Sequence, residues 1–406
     1  MRLKEAVDGN LPWIAGVLVG AGGFVRIEPA PYDIGIVLLM GVTAAVRLWR
    51  FPWEARVAYL GAGIFVLSHI FPPVNGSVDS LYRYWRFTGI TLYLLATWVF
   101  FVAYIGRYGD GGRRAVWSGY FIGAVTSSAL GVLGAVGLFG LRDLFTYGGY
   151  RAMAWFKDPN VFAAFLVGPC IYGMDRCLVA RRITFALWLC GFVLVQLGLV
   201  LALSRAAWLG ALVAFVVYGV LRCTFRPHPI WADIGKAVLV ALCSVVIDAL
   251  AIHFLNVPVG ARASLQPYDA DRFGTWERTI SLGIQHFFLG IGPGQSELRL
   301  AYATHNTFLR VFLENGVFGL VGFGMFLAAC VANLIRRIMT PGGSYASRDL
   351  DVVLMCALVG VLVNSIFIDA LHWRHFWFLA AMAAMPVKSL GGHTGGPSPG
   401  VATERI

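Results

Sequence analysis

Residues 183–221 read ITFALWLCGFVLVQLGLVLALSRAAWLGALVAFVVYGVL and establish the fold class. Two long apolar runs lie on either side of one charged residue, Arg205. About 20 apolar residues cross a bilayer as a helix, in which every backbone N–H and C=O is paired within the segment. The stretch therefore predicts two membrane-spanning helices joined by a tight turn.

The position of Arg205 in that turn makes it a candidate functional residue. A charge this close to hydrocarbon is costly unless it faces a partner or a watery cavity. The alternative is an arginine that extends along the turn to reach the lipid surface. Small residues follow it, Ala206, Ala207 and Gly210, and they favour close helix packing over a lipid-facing site.

The composition extends this prediction to the whole chain. Of 406 residues, 58% are hydrophobic and 13% are charged, which is typical of a protein with many membrane spans and leaves no room for a separate soluble domain. We predict an all-α polytopic membrane protein with about twelve transmembrane helices. Their predicted cores are 11–25, 33–48, 57–71, 87–105, 115–139, 160–174, 183–203, 206–221, 236–255, 316–335, 352–369 and 373–387.

Clusters of Lys and Arg alternate between the connections and so predict the orientation. Basic residues near span ends are retained in the cytoplasm, which places both termini there. The net charge of +11 then reflects contact with anionic membrane lipids, and we expect no nucleic-acid binding. The seven cysteines lie in predicted spans or at their inner ends, without metal-site spacing, so neither structural disulfides nor a zinc or iron site is expected.

The longest polar interval in the second half of the chain divides it into predicted regions. Residues 1–255 form a bundle of about nine spans, 256–315 an outer catalytic loop with short amphipathic helices, 316–390 the last spans, and 391–406 a flexible cytoplasmic tail. The outer connections carry arginines against the usual charge bias. They either reach lipid phosphates or converge on an anionic substrate, and the members outside the long loop are Arg83, Arg86, Arg142 and Arg151.

Several patterns in and near the loop admit two interpretations. Asp269 and Asp271 form a D-x-D triplet, which can hold a divalent metal but is also common in loops. The glycines of Gly290-Ile291-Gly292-Pro293-Gly294 form a turn whose amides would suit a phosphate. Asp369, His372 and His375 could form a metal-binding stripe, although the neighbouring tryptophans favour an anchor at the lipid headgroups.

The residues around His305 predict an anion-binding helix start. Thr307 to Glu314 has the periodicity of a short amphipathic helix, so His305 and Asn306 would lie at its N-terminus, where free N–H groups and the helix dipole favour an anion. Asn160, after Asp158-Pro159, is similarly predicted to cap the sixth span. A capping role alone would explain its presence.

The order of these motifs resembles a known family. They are Asp158-Pro159-Asn160, Ser204-Arg205-x-Ala207-Trp208-Leu209-Gly210, Arg272-x-x-x-Trp276, Gly290-Ile291-Gly292-Pro293-Gly294, His305-Asn306-Thr307-Phe308-Leu309 and Glu314-Asn315-Gly316. Together they resemble the O-antigen ligases (WaaL) and, more widely, the membrane polymerases and ligases that act on undecaprenyl-diphosphate-linked glycans. The sequence departs from the family in its compact loop and in Gly274 and Thr275, where larger residues are usual.

The resemblance implies a GT-C-like fold in the bacterial inner membrane, with the active site on the periplasmic face. It implies transfer of a glycan from undecaprenyl diphosphate to a sugar hydroxyl of lipid A-core, with inversion and with neither cofactor nor metal. Alternatives are an O-antigen polymerase, which extends the lipid-linked glycan, and a polysaccharide or lipid transporter. We expect the donor, lipid A-core and membrane lipids as partners, and a monomer.

The chemistry of that reaction assigns roles to the outer residues. Cleavage of the anomeric C–O bond adds charge to the departing diphosphate, and arginines can stabilise it with paired donors. Arg205 and Arg272 are the predicted catalytic cations, and His305 is the predicted base, with phosphate contact as its alternative role. The predicted substrate-binding residues are Arg278, Asn306, Arg142, Arg151, Arg83, Arg86 and Asn160.

Overall fold

The computed structural model describes residues 2–70, 77–225, 230–255, 258–264, 267–340 and 345–386. Helices dominate these residues, and their bounds are α1 Arg2–Ala21, α2 Pro31–Ala45, α3 Arg56–Leu67, α4 Val78–Val136, α5 Arg142–Phe145, α6 Pro159–Val179, α7 Arg182–Leu201, α8 Arg205–Phe225, α9 Ile230–Phe254, α10 Val259–Ala263, α11 Pro267–Gln285, α12 Ser296–Arg299, α13 Thr307–Met339, α14 Tyr345–Phe367 and α15 Arg374–Ala384. Two short 3₁₀ helices cover Trp53–Ala55 and Leu138–Gly140. Strands β1 Thr146–Tyr147 and β2 Arg151–Ala152 pair antiparallel, with Thr146 opposite Ala152.

The all-α polytopic class is confirmed. Seven helices within the described ranges are long and apolar enough to cross a membrane, namely α4, α6, α7, α8, α9, α13 and α14. The predicted number of about twelve spans stays a prediction, as does the division at residues 255 and 316. The predicted tail at 391–406 lies outside the described residues.

Helix α4 consists of two helical segments that meet at a kink, and they cover the two predicted spans 87–105 and 115–139. It runs for 59 residues and contains a single break, at Gly109, where φ is 54°. That left-handed conformation costs glycine little, so the chain turns there without a loop. The arginine that follows is buried rather than solvated: Arg113 is 1% exposed and forms an ion pair with Asp351 of α14. Arg337 of α13 joins the same carboxylate at 2.9 Å, so three helices are tied together at this level.

Small residues allow the helices to approach closely. Gly16 of α1 faces Gly119 of α4, and a Cβ atom on Gly119 would lie 1.8 Å from the Gly16 carbonyl oxygen. Gly210 of α8 lies against α14, where an added Cβ would be 2.7 Å from the carbonyl oxygen of Gly360. In a membrane such contacts replace the hydrophobic effect as the source of helix association. The second contact also fixes the position of the N-terminal end of α8, which carries Arg205.

Candidate active site

A cavity of about 600 Å³ lies where the N-terminal ends of three long helices meet. Asp158 and Asn160 come from the start of α6, Ser204 and Arg205 from the start of α8, and His305 from the turn before α13. Helices α10, α11 and α12 close it with Arg262, Asp271, Arg272 and Glu297, and the segments beyond add Arg310 and Asp369. The three predicted catalytic residues therefore line one cavity, although about a hundred residues separate Arg205 from His305.

Arg205 is held by an acidic residue of α11. Its Nη2 lies 2.6 Å from Oδ1 of Asp269 and its Nη1 lies 2.9 Å from Oδ2. This is a two-point contact between the guanidinium plane and a carboxylate, a strong form of hydrogen bonding. Asp269 is 8% exposed. The first aspartate of the D-x-D triplet thus orients Arg205, whereas Asp271 is exposed on the cavity wall.

His305 has an unusual backbone and an altered proton affinity. Its φ is 44°, a left-handed conformation that costs a residue with a side chain about 1–2 kcal/mol. Partial burial and the nearby charge of Arg272 lower the pKa of the imidazole, although Asp158 and Asp369 act in the opposite direction. His305 is consequently neutral at pH 7, which is the state that a general base requires.

The neighbours of His305 are fixed on both sides. The indole nitrogen of Trp276 donates to the carbonyl oxygen of Thr304 at 2.8 Å. On the other side, Oδ1 of Asn306 accepts the backbone N–H of Leu309 at 3.0 Å, which caps α13. Such a cap stabilises a helix by about 1 kcal/mol. Asn306 is 7% exposed, so its side chain serves the turn that presents His305.

Arg151 acts from behind the cavity wall. It is 6% exposed, and its Nε donates to the carbonyl oxygen of Ala202 at 3.0 Å. Its Nη2 donates to Leu203 O at 3.3 Å and to Oδ1 of Asn160 at 2.9 Å. Arg151 thereby joins the start of α6 to the α7–α8 turn. Leu203 in that turn has a φ of 52°, so this second left-handed residue lies just ahead of Arg205.

The cap of α6 differs from the prediction. Asp158 supplies it, because its Oδ1 accepts the backbone N–H groups of Asn160 at 2.6 Å and of Val161 at 3.4 Å. The sequence places Asn160 in this role, but the proline between the two residues occupies the first helical position, one residue after the cap. Asn160 is left to line the cavity and to receive the hydrogen bond from Arg151.

The other predicted substrate-binding arginines do not line this cavity. Arg83 pairs with Asp79 at 3.3 Å and with Glu297 at 2.6 Å. Arg86 lies with its Cζ 5.9 Å from the ring centre of Phe87. Arg142 begins α5, and Arg278 is exposed on α11. Their roles in substrate binding stay predictions.

An ion-pair cluster that sequence reasoning did not assign to the site forms one wall. Arg310 is 7% exposed, with Nη1 2.5 Å from Oδ2 of Asp369 and Nε 3.2 Å from Oε1 of Glu314. Its Cζ also lies 4.8 Å from the ring centre of Phe87. Burial opposes the ionisation of Asp369, but the charge of Arg310 holds the pKa of this carboxyl below its usual range. Two sequence signals point to this wall: the polar stripe of Arg310 and Glu314, and the acid just ahead of the last span.

Within the predicted stripe of Asp369, His372 and His375, the carboxylate already has another partner. Asp369 is paired with Arg310, and burial together with that arginine lowers the pKa of His372 to about 4. Ala370 donates its N–H to the Thr307 hydroxyl at 2.8 Å, which joins this turn to the start of α13. Within the part of the chain that the structure describes, no group of three or more His, Cys, Asp or Glu residues is arranged to hold a metal ion.

Two amides of the glycine-rich turn bond to a broken helix. Helix α13 is interrupted at Gly316, where φ is 65°, and the break leaves carbonyl groups without helical partners. Ile291 donates its N–H to Leu313 O at 2.8 Å, and Gly292 donates to Glu314 O at 2.9 Å. The phosphate hypothesis for these amides is wrong, because the break in α13 uses them.

A smaller apolar cavity of about 210 Å³ adjoins the first. The two share Arg205, Ala206 and Arg272. Its remaining walls are mainly apolar, formed by Leu209, Phe273, Trp276 and Phe367, with Asp269 beside Arg205. The shared arginines thus lie between a charged chamber and an apolar one.

Comparison with known proteins supports one family. Residues 190–324 match the family model described as O-Antigen ligase, and among curated proteins none matches the chain. The matched segment contains Arg205, Arg272 and His305, while Asn160 and Asp369 lie outside it. With a membrane-embedded helical fold, the match supports a glycosyltransferase-like enzyme of the O-antigen ligase and polymerase superfamily. Over residues 190–324, the predicted resemblance of this chain to the O-antigen ligase family is confirmed.

Proposed function

We propose that this protein is an O-antigen ligase. It transfers a completed glycan from undecaprenyl diphosphate to a sugar hydroxyl of lipid A-core, with inversion at the anomeric carbon and without a metal. The observation that carries the proposal is the convergence of Arg205, Arg272 and His305 on one cavity. That cavity provides cations for a diphosphate and a neutral imidazole for an alcohol, which are the two groups that the reaction brings together.

The adjoining apolar cavity supports a lipid-linked donor. A polyprenyl diphosphate has a charged head and a hydrocarbon tail, and the two cavities share the arginines at their boundary. The diphosphate would lie at Arg205 and Arg272, and the first isoprenoid units beside Leu209, Phe273 and Phe367. Phosphate oxygens would compete with Asp269 for the donors of Arg205, since both are anionic acceptors that match the guanidinium.

The transfer step is balanced without any additional reactant. The acceptor hydroxyl oxygen attacks the anomeric carbon, and its proton passes to the imidazole of His305. The bond between the anomeric carbon and the diphosphate oxygen breaks, and its electron pair leaves with undecaprenyl diphosphate. The charge that develops on this leaving group is stabilised by the arginines. Their donors are already oriented, so the reaction requires no costly reorganisation. Inversion follows from a single displacement at the anomeric carbon.

The proposed function also implies a cellular location, a membrane orientation and an oligomeric state. The cavity faces the periplasm of a bacterial inner membrane, both termini are cytoplasmic, and the enzyme acts as a monomer on two lipid substrates. The basic residues at alternate connections support this orientation.

Reconstitution with defined substrates tests the proposal. The purified chain in proteoliposomes receives a fluorescent undecaprenyl-diphosphate glycan, either alone or with lipid A-core. A ligase yields glycan attached to lipid A-core only when the acceptor is present. Longer lipid-linked chains formed without acceptor would instead establish a polymerase. Movement of intact donor across the bilayer with no new glycosidic bond would establish a transporter.

A matched pair of variants controls for loss of folding. Arg272→Lys keeps the charge but loses the planar pair of donors, and we expect transfer to fall by about 10- to 100-fold. Arg336→Lys makes the same replacement at an exposed position near the far end of α13 and leaves transfer unchanged. Full activity of Arg272→Lys would contradict the proposed role of this arginine.

A further inference from the structure

The N-termini of three helices converge on the cavity. At two of them, a side chain accepts a hydrogen bond from a free backbone N–H group of the first turn. Asp158 caps α6, and Asn306 caps α13 through the N–H of Leu309 at 3.0 Å. The corresponding residue ahead of α8 is Ser204. Its carbonyl oxygen accepts the N–H of Trp208 at 2.9 Å, so the amides that precede Trp208 have no partner within the helix.

The Ser204 hydroxyl is buried and has no hydrogen-bond partner among the described residues. The residue is 1% exposed and lines the cavity, and its Oγ makes no hydrogen bond to any described residue. Serine at this position usually accepts a backbone N–H from its own helix. A buried hydroxyl without a partner is unfavourable, and native proteins leave very few of them. Because Ser204 lines the cavity, a ligand bound there could supply the missing hydrogen-bond partner.

The surroundings of Ser204 select an anion. The dipole of the 21-residue helix α8 places partial positive charge at this end. Arg205, Arg262 and Arg272 line the same cavity, and Arg262 also donates to the carbonyl oxygen of Leu203 at 3.2 Å, one residue before Ser204. Helix N-termini flanked by arginines bind phosphate groups through backbone and side-chain donors together.

We propose that Ser204 and the first turn of α8 form the seat for one phosphate group of the diphosphate substrate. This inference rests on the proposed function for the identity of the ligand. The hydroxyl donates its proton to a non-bridging phosphate oxygen, while the arginines hold the rest of the group. Because cleavage of the anomeric bond adds charge to the diphosphate, the Ser204 hydrogen bond is stronger to the departing diphosphate than to the intact donor.

Ser128 provides a matched control for this proposal. Its hydroxyl is likewise buried and has no partner in the described part of the chain, but it belongs to α4 and does not line the cavity. Ser204→Ala and Ser128→Ala remove the same atom from two buried positions. Neither change removes a hydrogen bond that the protein itself makes, so neither should lower the apparent melting temperature.

Binding of a short polyprenyl diphosphate measures the effect. The full chain in nanodiscs of phosphatidylethanolamine and phosphatidylglycerol is titrated with farnesyl diphosphate. We expect Ser204→Ala to raise Kd by roughly 10-fold or more, as for loss of a hydrogen bond to a charged group. Ser128→Ala should stay within about twofold of the unsubstituted protein. Equal affinities for Ser204→Ala and the unsubstituted protein would refute the phosphate seat.

The proposed function and the phosphate seat can fail separately. Glycan transfer with unchanged binding in Ser204→Ala would refute the seat and leave the ligase intact. Weakened binding in Ser204→Ala, in a protein that transfers no glycan to lipid A-core, would support the seat and refute the ligase. If the unsubstituted protein does not bind farnesyl diphosphate, the seat is refuted whatever the transfer assay shows.

Discussion

The turns that precede α8 and α13 resemble each other in backbone and differ in how they are completed. Each has a non-glycine residue in the left-handed region, Leu203 with φ of 52° and His305 with φ of 44°. Each delivers a candidate catalytic side chain to the same cavity. The turn before α13 is capped by Asn306, whereas the Ser204 hydroxyl at the α8 turn has no partner within the described ranges. Strained backbone of this kind persists only where neighbouring contacts hold it, and it is frequent at functional sites.

The two turns differ in which groups hold them in place, and this difference indicates a different function for each. The α13 turn is held by contacts within the protein on both sides of His305, through Trp276 and Asn306. The α8 turn is held from behind by Arg151, and its cavity side is left to a ligand. We infer that the first turn positions a base before substrate arrives. The second is completed by the anion that it binds.

Removal of the base should have the largest effect. His305→Ala is expected to reduce kcat for glycan transfer by about 10³-fold, because general-base catalysis contributes on this scale. Kd for farnesyl diphosphate should stay within about twofold, since the imidazole acts on the acceptor. His286→Ala, at the end of α11 and outside the cavity, serves as the control. A normal rate in His305→Ala, with the protein in the membrane, would exclude His305 as the base.

The charge of Arg272 should affect both transfer and its pH dependence. Burial and Arg272 both lower the pKa of His305, so the neutral base persists below pH 6.5 and the rate falls only in more acidic solution. Arg272→Gln removes one of these two causes, which raises that pKa and moves the acidic limb of the kcat profile to higher pH. We expect a loss of about 10²-fold on the plateau. An acidic limb that does not move would mean that another group is the base.

The three catalytic candidates could be identified from sequence because their signals are local. Arg205 stands out as a charge between two apolar runs, and His305 precedes a recognisable helix start. Arg272 lies four residues before Trp276 in a polar interval of the sequence. Lipid leaves few places for such residues, so polarity within an apolar chain is itself informative. The charge pattern also predicts their convergence, because it assigns all three residues to the same side of the membrane.

The remaining parts of the site depend on contacts that no local pattern encodes. Arg310 meets Asp369, which lies 59 positions later in the sequence, and Asp269 reaches Arg205 from α11. The amides of the glycine-rich turn bond to α13 only because that helix breaks at Gly316. A sequence shows a charged residue or a glycine, but the tertiary fold determines its partner. The sequence alone therefore cannot decide whether Asp269 and Asp271 bind a metal or whether the glycine-rich turn binds a phosphate.

Arg151 offers an intermediate test, because it supports the α8 turn without lining the cavity. Arg151→Lys keeps the charge but cannot reach Ala202, Leu203 and Asn160 at once. We expect Kd for farnesyl diphosphate to rise by about 10-fold and the apparent melting temperature to fall, since buried carbonyl groups lose a donor. A purely structural role would lower the melting temperature and leave Kd unchanged. A direct phosphate contact would raise Kd and leave the melting temperature unchanged.

The cap of α13 should give the smallest effect on transfer and the sharpest contrast with α8. Asn306→Ala removes a cap worth about 1 kcal/mol, so the apparent melting temperature should fall, while the Kd for farnesyl diphosphate changes by less than about threefold. Asn306→Ser retains an acceptor for the Leu309 N–H and should restore the melting temperature. Ser204→Ala should do the opposite, because it weakens binding and spares stability. If both alanine variants lowered stability to the same degree, Ser204 would be an ordinary helix cap, and the distinction between a turn completed by the protein and a turn completed by ligand would be lost.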